Sequence, residues 1–89
     1  MSYSQSKTVR KVVARVNKQD AAFVYFTLES NEGICFYSTY KHETGQEYRD
    51  IEIFQDQLLA KELDHIIQGL KNKFSLEVLV DEVFEDQER

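Results

Sequence analysis

The sequence predicts an α+β domain in which two helices cover one face of a four-stranded antiparallel sheet. Three observations carry that expectation. Residues 58–74 hold an apolar stripe at three- and four-residue spacing, the pattern of a helix with one buried side. Residues 8–16, 48–54 and 76–84 alternate apolar and polar side chains, the pattern of strands. The chain has 89 residues, no proline and three glycines. That suffices for a single domain over residues 1–89, with too few turn formers for a sandwich of many short strands.

Taken in order, "TVRKVVARV" at 8–16 sets Val12, Ala14 and Val16 against Lys11, Val13 and Arg15, one apolar face and one mixed face. "ICFYSTY" at 34–40 reads as a strand, joined to "YRDIEIF" at 48–54 through a polar loop whose Thr44-Gly45 signals a hairpin turn. The second of these strands sets Arg49, Ile51 and Ile53 against Tyr48, Asp50, Glu52 and Phe54. The helix at 58–74 places Leu59, Leu63, Ile66, Ile67, Leu70 and Phe74 on one stripe, with Asp56 as its expected N-cap and Lys71 and Lys73 in its last turn. Gly69, at the edge of the stripe, costs about 1 kcal/mol relative to alanine and suggests close packing. In the final strand, Leu76, Val78, Val80 and Phe84 are expected on one face. The ordered core is expected over about 7–84, between polar ends that fray.

The segment 18–33 is ambiguous. As a strand it offers phenylalanine, valine, tyrosine and threonine before a turn at Ser30–Gly33. As a helix it offers Asn17 with Asp20 as a capping pair, Ala22, Phe23, Phe26 and Ser30 along one face, and Gly33 as a left-handed cap. Apolar residues nearly encircle that helix, which implies burial on more than one side. "DAAFVYFTLESNEGICFYST" resembles the signature of a family of small uncharacterised bacterial proteins: Asp-Ile, apolar residues, Lys-Phe, then Leu-Glu-Ser-Tyr-Glu-Gly/Asn-Leu. Asp20, Phe26, Leu28, Glu29, Ser30, Glu32 and Gly33 stand at matching positions, and Ile34 replaces the leucine. Ala21, Tyr25 and Asn31 depart from the pattern, which covers about a quarter of the chain. The resemblance implies a helix here, and with it a bacterial source.

The resulting order, β-α-β-β-α-β, is the ferredoxin-like plan, shared by ACT regulatory domains. It sets the first and last strands side by side. Lys11 and Arg15 are then expected across from Glu77 and Asp81, which neutralises much of the basic run Lys7, Arg10, Lys11, Arg15 and Lys18. With a formal net charge of −5, nucleic acid is a disfavoured partner. The sheet face away from the helices is expected to carry Val9, Val13, Cys35, Tyr37, Thr39, Leu79 and Val83. That is too apolar for a solvated face, and it suggests a homodimer through the sheet or its edge, with Val13, Tyr37, Leu79 and Val83 in the interface. A partly exposed sheet of β-branched residues is the alternative.

Chemistry-bearing motifs are few. Cys35 is the only cysteine; it cannot form an internal disulfide, which suits a reducing cytoplasm, and it reads as a structural thiol. His42, Glu43 and His65 show no metal-ligand spacing, and no phosphate loop, nucleophile elbow or catalytic set is present, so no cofactor, metal or enzymatic activity is expected. No apolar run suggests a leader or a membrane span. The tyrosines could stack bases, but "ICFYSTY" does not match the ribonucleoprotein strand motif. Glu29, Ser30, Glu32 and Gly33 are the candidate ligand residues, by analogy with the helix–strand junctions where ACT-like domains hold small molecules. A helix end with solvated acids explains the same residues. The leading expectation is a cytoplasmic, non-catalytic binding or regulatory domain, homodimeric, with a small-molecule or protein partner. A protein-interaction adaptor and an RNA-binding module are the alternatives.

Overall fold

The computed structural model describes residues 6–31, 33–41 and 44–87. The elements are β1 (Ser6–Asn17), α1 (Ala21–Glu29), β2 (Phe36–Thr39), β3 (Tyr48–Asp56), α2 (Ala60–Lys73) and β4 (Leu76–Gln87), with one 3-10 turn at Lys18–Asp20 and another at Gln57–Leu59. The sheet is antiparallel in the order β2-β3-β1-β4, with both helices on one face. This is the ferredoxin-like arrangement. The contested segment is a helix, and β4 continues past Phe84 to Gln87, where fraying was expected. Residues 1–5, Glu32, His42, Glu43, Glu88 and Arg89 lie outside the described residues.

Alternation along β1 sends Val12, Ala14 and Val16 toward the helices, each 1% exposed or less. Ile51 and Ile53 of β3 lie directly opposite Ala14 and Val12. Val24 and Leu28 of α1 and Leu63, Ile67 and Leu70 of α2 close the core from above. Asp56 accepts a hydrogen bond from the Leu58 amide at 3.0 Å, which satisfies one free donor where the chain turns into α2. The Thr44-Gly45 turn holds Gly45 at φ +95°, a conformation glycine adopts without a Cβ clash.

Four local expectations need correction. Asn17 makes no side-chain cap, and Gly33 is not left-handed, since Gly45 is the only positive-φ residue among those described. The end of α1 is closed instead by side chains: Ser30 Oγ donates to the Phe26 carbonyl at 2.8 Å and Asn31 Nδ2 to the Thr27 carbonyl at 2.7 Å. Gly69 marks no close packing, because a Cβ built there would meet nothing within 4 Å. Finally, the register between β1 and β4 shifts between Val13 and Ala14, which pair with Val80 and Val78 and leave Leu79 as the extra residue of a bulge. The bulge inverts the facing of β4. Leu76 and Val78 point to the helices, whereas Val80 and Phe84 point to the open face opposite Val13 and Val9.

The bulge also turns Asp81 to the helix side, where Arg10 takes it. Arg10 is 8% exposed. Its guanidinium bonds both Asp81 oxygens at 2.9 and 2.8 Å, Asp64 of α2 at 2.8 Å, Gln55 of β3 at 3.3 Å and the Ala60 carbonyl at 3.3 Å. One side chain thereby ties β1, β3, β4 and the start of α2 together.

Candidate functional site

The residues expected to bind a ligand lie where α1 passes into β2. Glu29 ends α1 and its carboxylate accepts a 2.6 Å hydrogen bond from Tyr37 Oη. The bond stabilises the protonated phenol and, with partial burial, pushes Tyr37 up to about 12. Tyr37 stacks on Tyr25 with ring centroids 5.4 Å apart, and Tyr25 Oη shares a 2.7 Å hydrogen bond with Thr39. Leu28, Glu29, Cys35, Phe36 and Tyr37 line a shallow depression of about 270 Å3. Glu29 is the one candidate that the structure brings to it. Ser30 is committed to the helix end, Gly33 is exposed, with nothing within 4 Å of where a Cβ would stand, and Glu32 is not described. The depression can offer a carboxylate oxygen and an aromatic wall to a small donor-bearing molecule. Cys35, Phe36 and Tyr37 were missed as its lining because β2 was read one residue out of phase.

That phase error matters for the sheet. Tyr37 and Thr39 pair with Ile53 and Ile51, so they lie on the helix side, and Cys35 is buried in the core at 6% exposure. Burial raises the Cys35 pKa and keeps the thiol protonated. Phe36, Ser38 and Tyr40 face outward instead, and a slip of one residue inverts every side chain of a strand. The gain for β2 is the Tyr25–Tyr37–Glu29 contact set, and the cost is Phe36 at 76% exposure. Of the four residues expected in an interface, Val13 is 2% exposed, Tyr37 is on the opposite side, and Val83, at 50% exposure, is also on the helix side, because the bulge pairs it with Arg10; Leu79, the bulge residue, is a surface residue of β4 at 39%.

The open face is cross-linked by charge. Arg15 grips Asp50 through two bonds of 2.8 and 2.9 Å and lies 3.9 Å over the Tyr48 ring. Lys11 reaches Glu52 at 3.3 Å, and Glu52 also accepts from Tyr40 Oη at 2.9 Å. Neutralisation of the basic run is therefore mostly the work of β3: Arg15 faces Glu77 across β4 but bonds Asp50, and the expected partner Asp81 belongs to Arg10.

The helical layer presents the opposite chemistry. Phe23 and Phe26 of α1 are 64% and 68% exposed. Beside them a groove of about 310 Å3 runs between the helices, lined by Phe23, Ile66, Gly69, Leu70, Lys73 and Phe74. Phe23 and Phe74 meet at its end with ring centroids 5.8 Å apart. Burial of α1 on more than one side, as its composition suggests, is not met within one copy: Ala21, Val24 and Leu28 are buried and the other flank is open. Among the described residues no group of three His, Cys, Asp or Glu side chains is placed to hold a metal ion, and no helix is long and apolar enough to cross a membrane.

No family model matches the chain, and no curated protein matches it either. Solved structures do. The apo form of CPII from Thiomonas intermedia K12, a nitrogen regulatory PII-like protein, superposes with a TM-score of 0.66 at 14% identity, over 96% of this chain and 98% of that one. CPII bound to ADP, AMP and bicarbonate superposes at 0.56 with 16% identity, over 96% and 97%. A Staphylococcus aureus protein matches at 0.66 and 14% identity, over 96% of this chain but 25% of its own. At such identities the likeness establishes the fold: a single ferredoxin-like unit of the kind found in PII-like proteins.

Proposed function

We propose that this chain is a non-catalytic regulatory domain that works as a homodimer and answers to a small-molecule effector, with adenine nucleotides the first class to examine. The observation that carries the reading is the end-to-end superposition on a PII-like regulator captured with ADP, AMP and bicarbonate. A phosphorylated ligand cannot draw on Arg10, Lys11 or Arg15, whose charges are already paired. Its cations must come from exposed lysines such as Lys18, Lys71 and Lys73, or from a second copy. Isothermal titration with AMP, ADP and ATP, with and without bicarbonate, tests this. Saturable heat at micromolar nucleotide is expected, and no heat at about 1 mM, where binding free energy is only about −4 kcal/mol, removes nucleotide sensing.

A protein-interaction adaptor is the second reading. It is favoured by β4, a 12-residue strand at the sheet edge with one side unpaired among the described residues. A homodimer through the sheet edge, at Leu79, draws on the same strand.

A further inference from the structure

We infer that a second copy of this chain covers the outer face of the helices, with Phe26 of each protomer seated in the groove between α1 and α2 of the other. The inference rests on the homodimer reading above and moves the contact from the sheet to the helical layer. Three observations support it. First, α1 has no charged residue between Ala21 and Leu28, and its outer flank leaves Phe23 and Phe26 about two-thirds exposed. A helix that is apolar all round is stable in water only when covered on all sides. Second, Gly69 lies in the floor of the adjacent groove with open space above it. A mid-helix glycine weakens the helix, and here no contact within the chain requires it. An aromatic ring entering from outside does require that space. Phe26 itself does not line the groove but follows Phe23 by one turn of α1, and Phe23 and Thr27 form the groove's α1 wall, so a two-fold axis close to α1 can carry each Phe26 to the groove of the other copy.

Third, the helical layer is polarised. α1 and α2 run antiparallel, as the Phe23–Phe74 contact requires. Lys18, Lys71 and Lys73, with Asp20, stand where α1 begins and α2 ends; Glu29 and Glu62, with Lys61, stand at the other end. A two-fold axis across the helices reverses their direction and lays the basic end of each copy on the acidic end of its partner. The open sheet face offers no equivalent, because its basic residues Lys11 and Arg15 are already paired within the chain.

Light scattering coupled to size exclusion, on the full chain at tens of micromolar, tests the inference. The wild type is expected as a dimer. Phe26→Glu, at a position exposed in the monomer, and Gly69→Leu, which fills the groove while improving helix propensity, are each expected to give a monomer with unchanged helical circular dichroism. Lys71→Glu with Lys73→Glu is expected to weaken the dimer more than tenfold. A dimer that survives Phe26→Glu and Gly69→Leu but dissociates with Leu79→Glu and Phe84→Glu overturns the inference in favour of the sheet. A monomeric wild type overturns both the inference and the homodimer, and leaves the effector reading to be decided by the titration.

Discussion

The open sheet face and the outer surface of the helices are both broad, and both draw on apolar residues, yet they end up chemically opposite. On the sheet, Val13 is 2% exposed and lies opposite Glu52, between the Lys11–Glu52 and Arg15–Asp50 pairs. On the helices, Phe23 and Phe26 have no such cover. The difference lies in spacing. Cross-strand neighbours about 5 Å apart let long charged side chains pair above a small residue. The one charged residue of the short α1, Glu29, is drawn to Tyr37, so no ion pair closes over its two phenylalanines. A face that looks apolar in sequence can therefore be closed by its neighbours, and an ordinary-looking helix can be the surface left open.

The comparison is sharpened first in the layer between the two surfaces. Leu63→Ala, at 0% exposure, should lose about 2–5 kcal/mol of stability in chemical denaturation, more than any surface change, since the cavity it leaves cannot collapse fully. Arg10→Met should be next. It strands Asp81 and Asp64, but these carboxylates keep partial contact with water, so a loss of about 2 kcal/mol is expected. The same bonds hold the Asp81 carboxyl below the usual range, with the Arg10 hydrogen bonds as the main cause. For a depressed acid the sign is fixed. The stabilisation is complete above the unfolded value near pH 4 and is lost as pH falls through the folded value. Denaturation midpoints should therefore fall below about pH 4 in the wild type, and the Asp81 share of that fall should vanish in Arg10→Met.

Gly69→Ala separates the two surfaces directly. If the groove above it faces only water, the variant should gain up to about 1 kcal/mol with no change in assembly. If a second copy enters the groove, dimer affinity should drop while the monomer becomes more stable. The smallest effect is expected on the open face. Arg15→Ala should lower the melting temperature slightly in low salt and not measurably at roughly 1 M salt, where exposed pairs are screened. A large, salt-independent loss would mean that the lattice is a structural element of the same rank as the Arg10 cluster.

Much of the architecture was legible in one dimension. The stripe from Leu59 to Phe74, the Asp56 cap, the alternation of Val12, Ala14 and Val16 and the Thr44-Gly45 turn all act over a few residues, and all stand in the structure. The helical state of 21–29 was not decided by composition, since its residues suit a strand as well, and the resemblance to a helix–strand signature decided it. The candidate site was legible only at Glu29. Its other members, Cys35, Phe36 and Tyr37, depend on the phase of β2, which has four residues and too little pattern to fix it.

By itself, then, the sequence determined the helix from Leu59 to Phe74 and the strands, because periodicity is local, while the residues of 21–29 left helix and strand open. Three things only the tertiary structure decided. The bulge at Leu79 turned Asp81 toward the helices, and no local residue type announces it. Stacking on Tyr25 chose the face of Tyr37. Burial of Arg10, in the same alternation as Val12 and Val16, became tolerable only when Asp81, Asp64 and Gln55, from three separate elements, converged on it. Each of these depends on partners 12 to 71 residues away in the chain, and contacts of that range are settled when elements pack, not when they form.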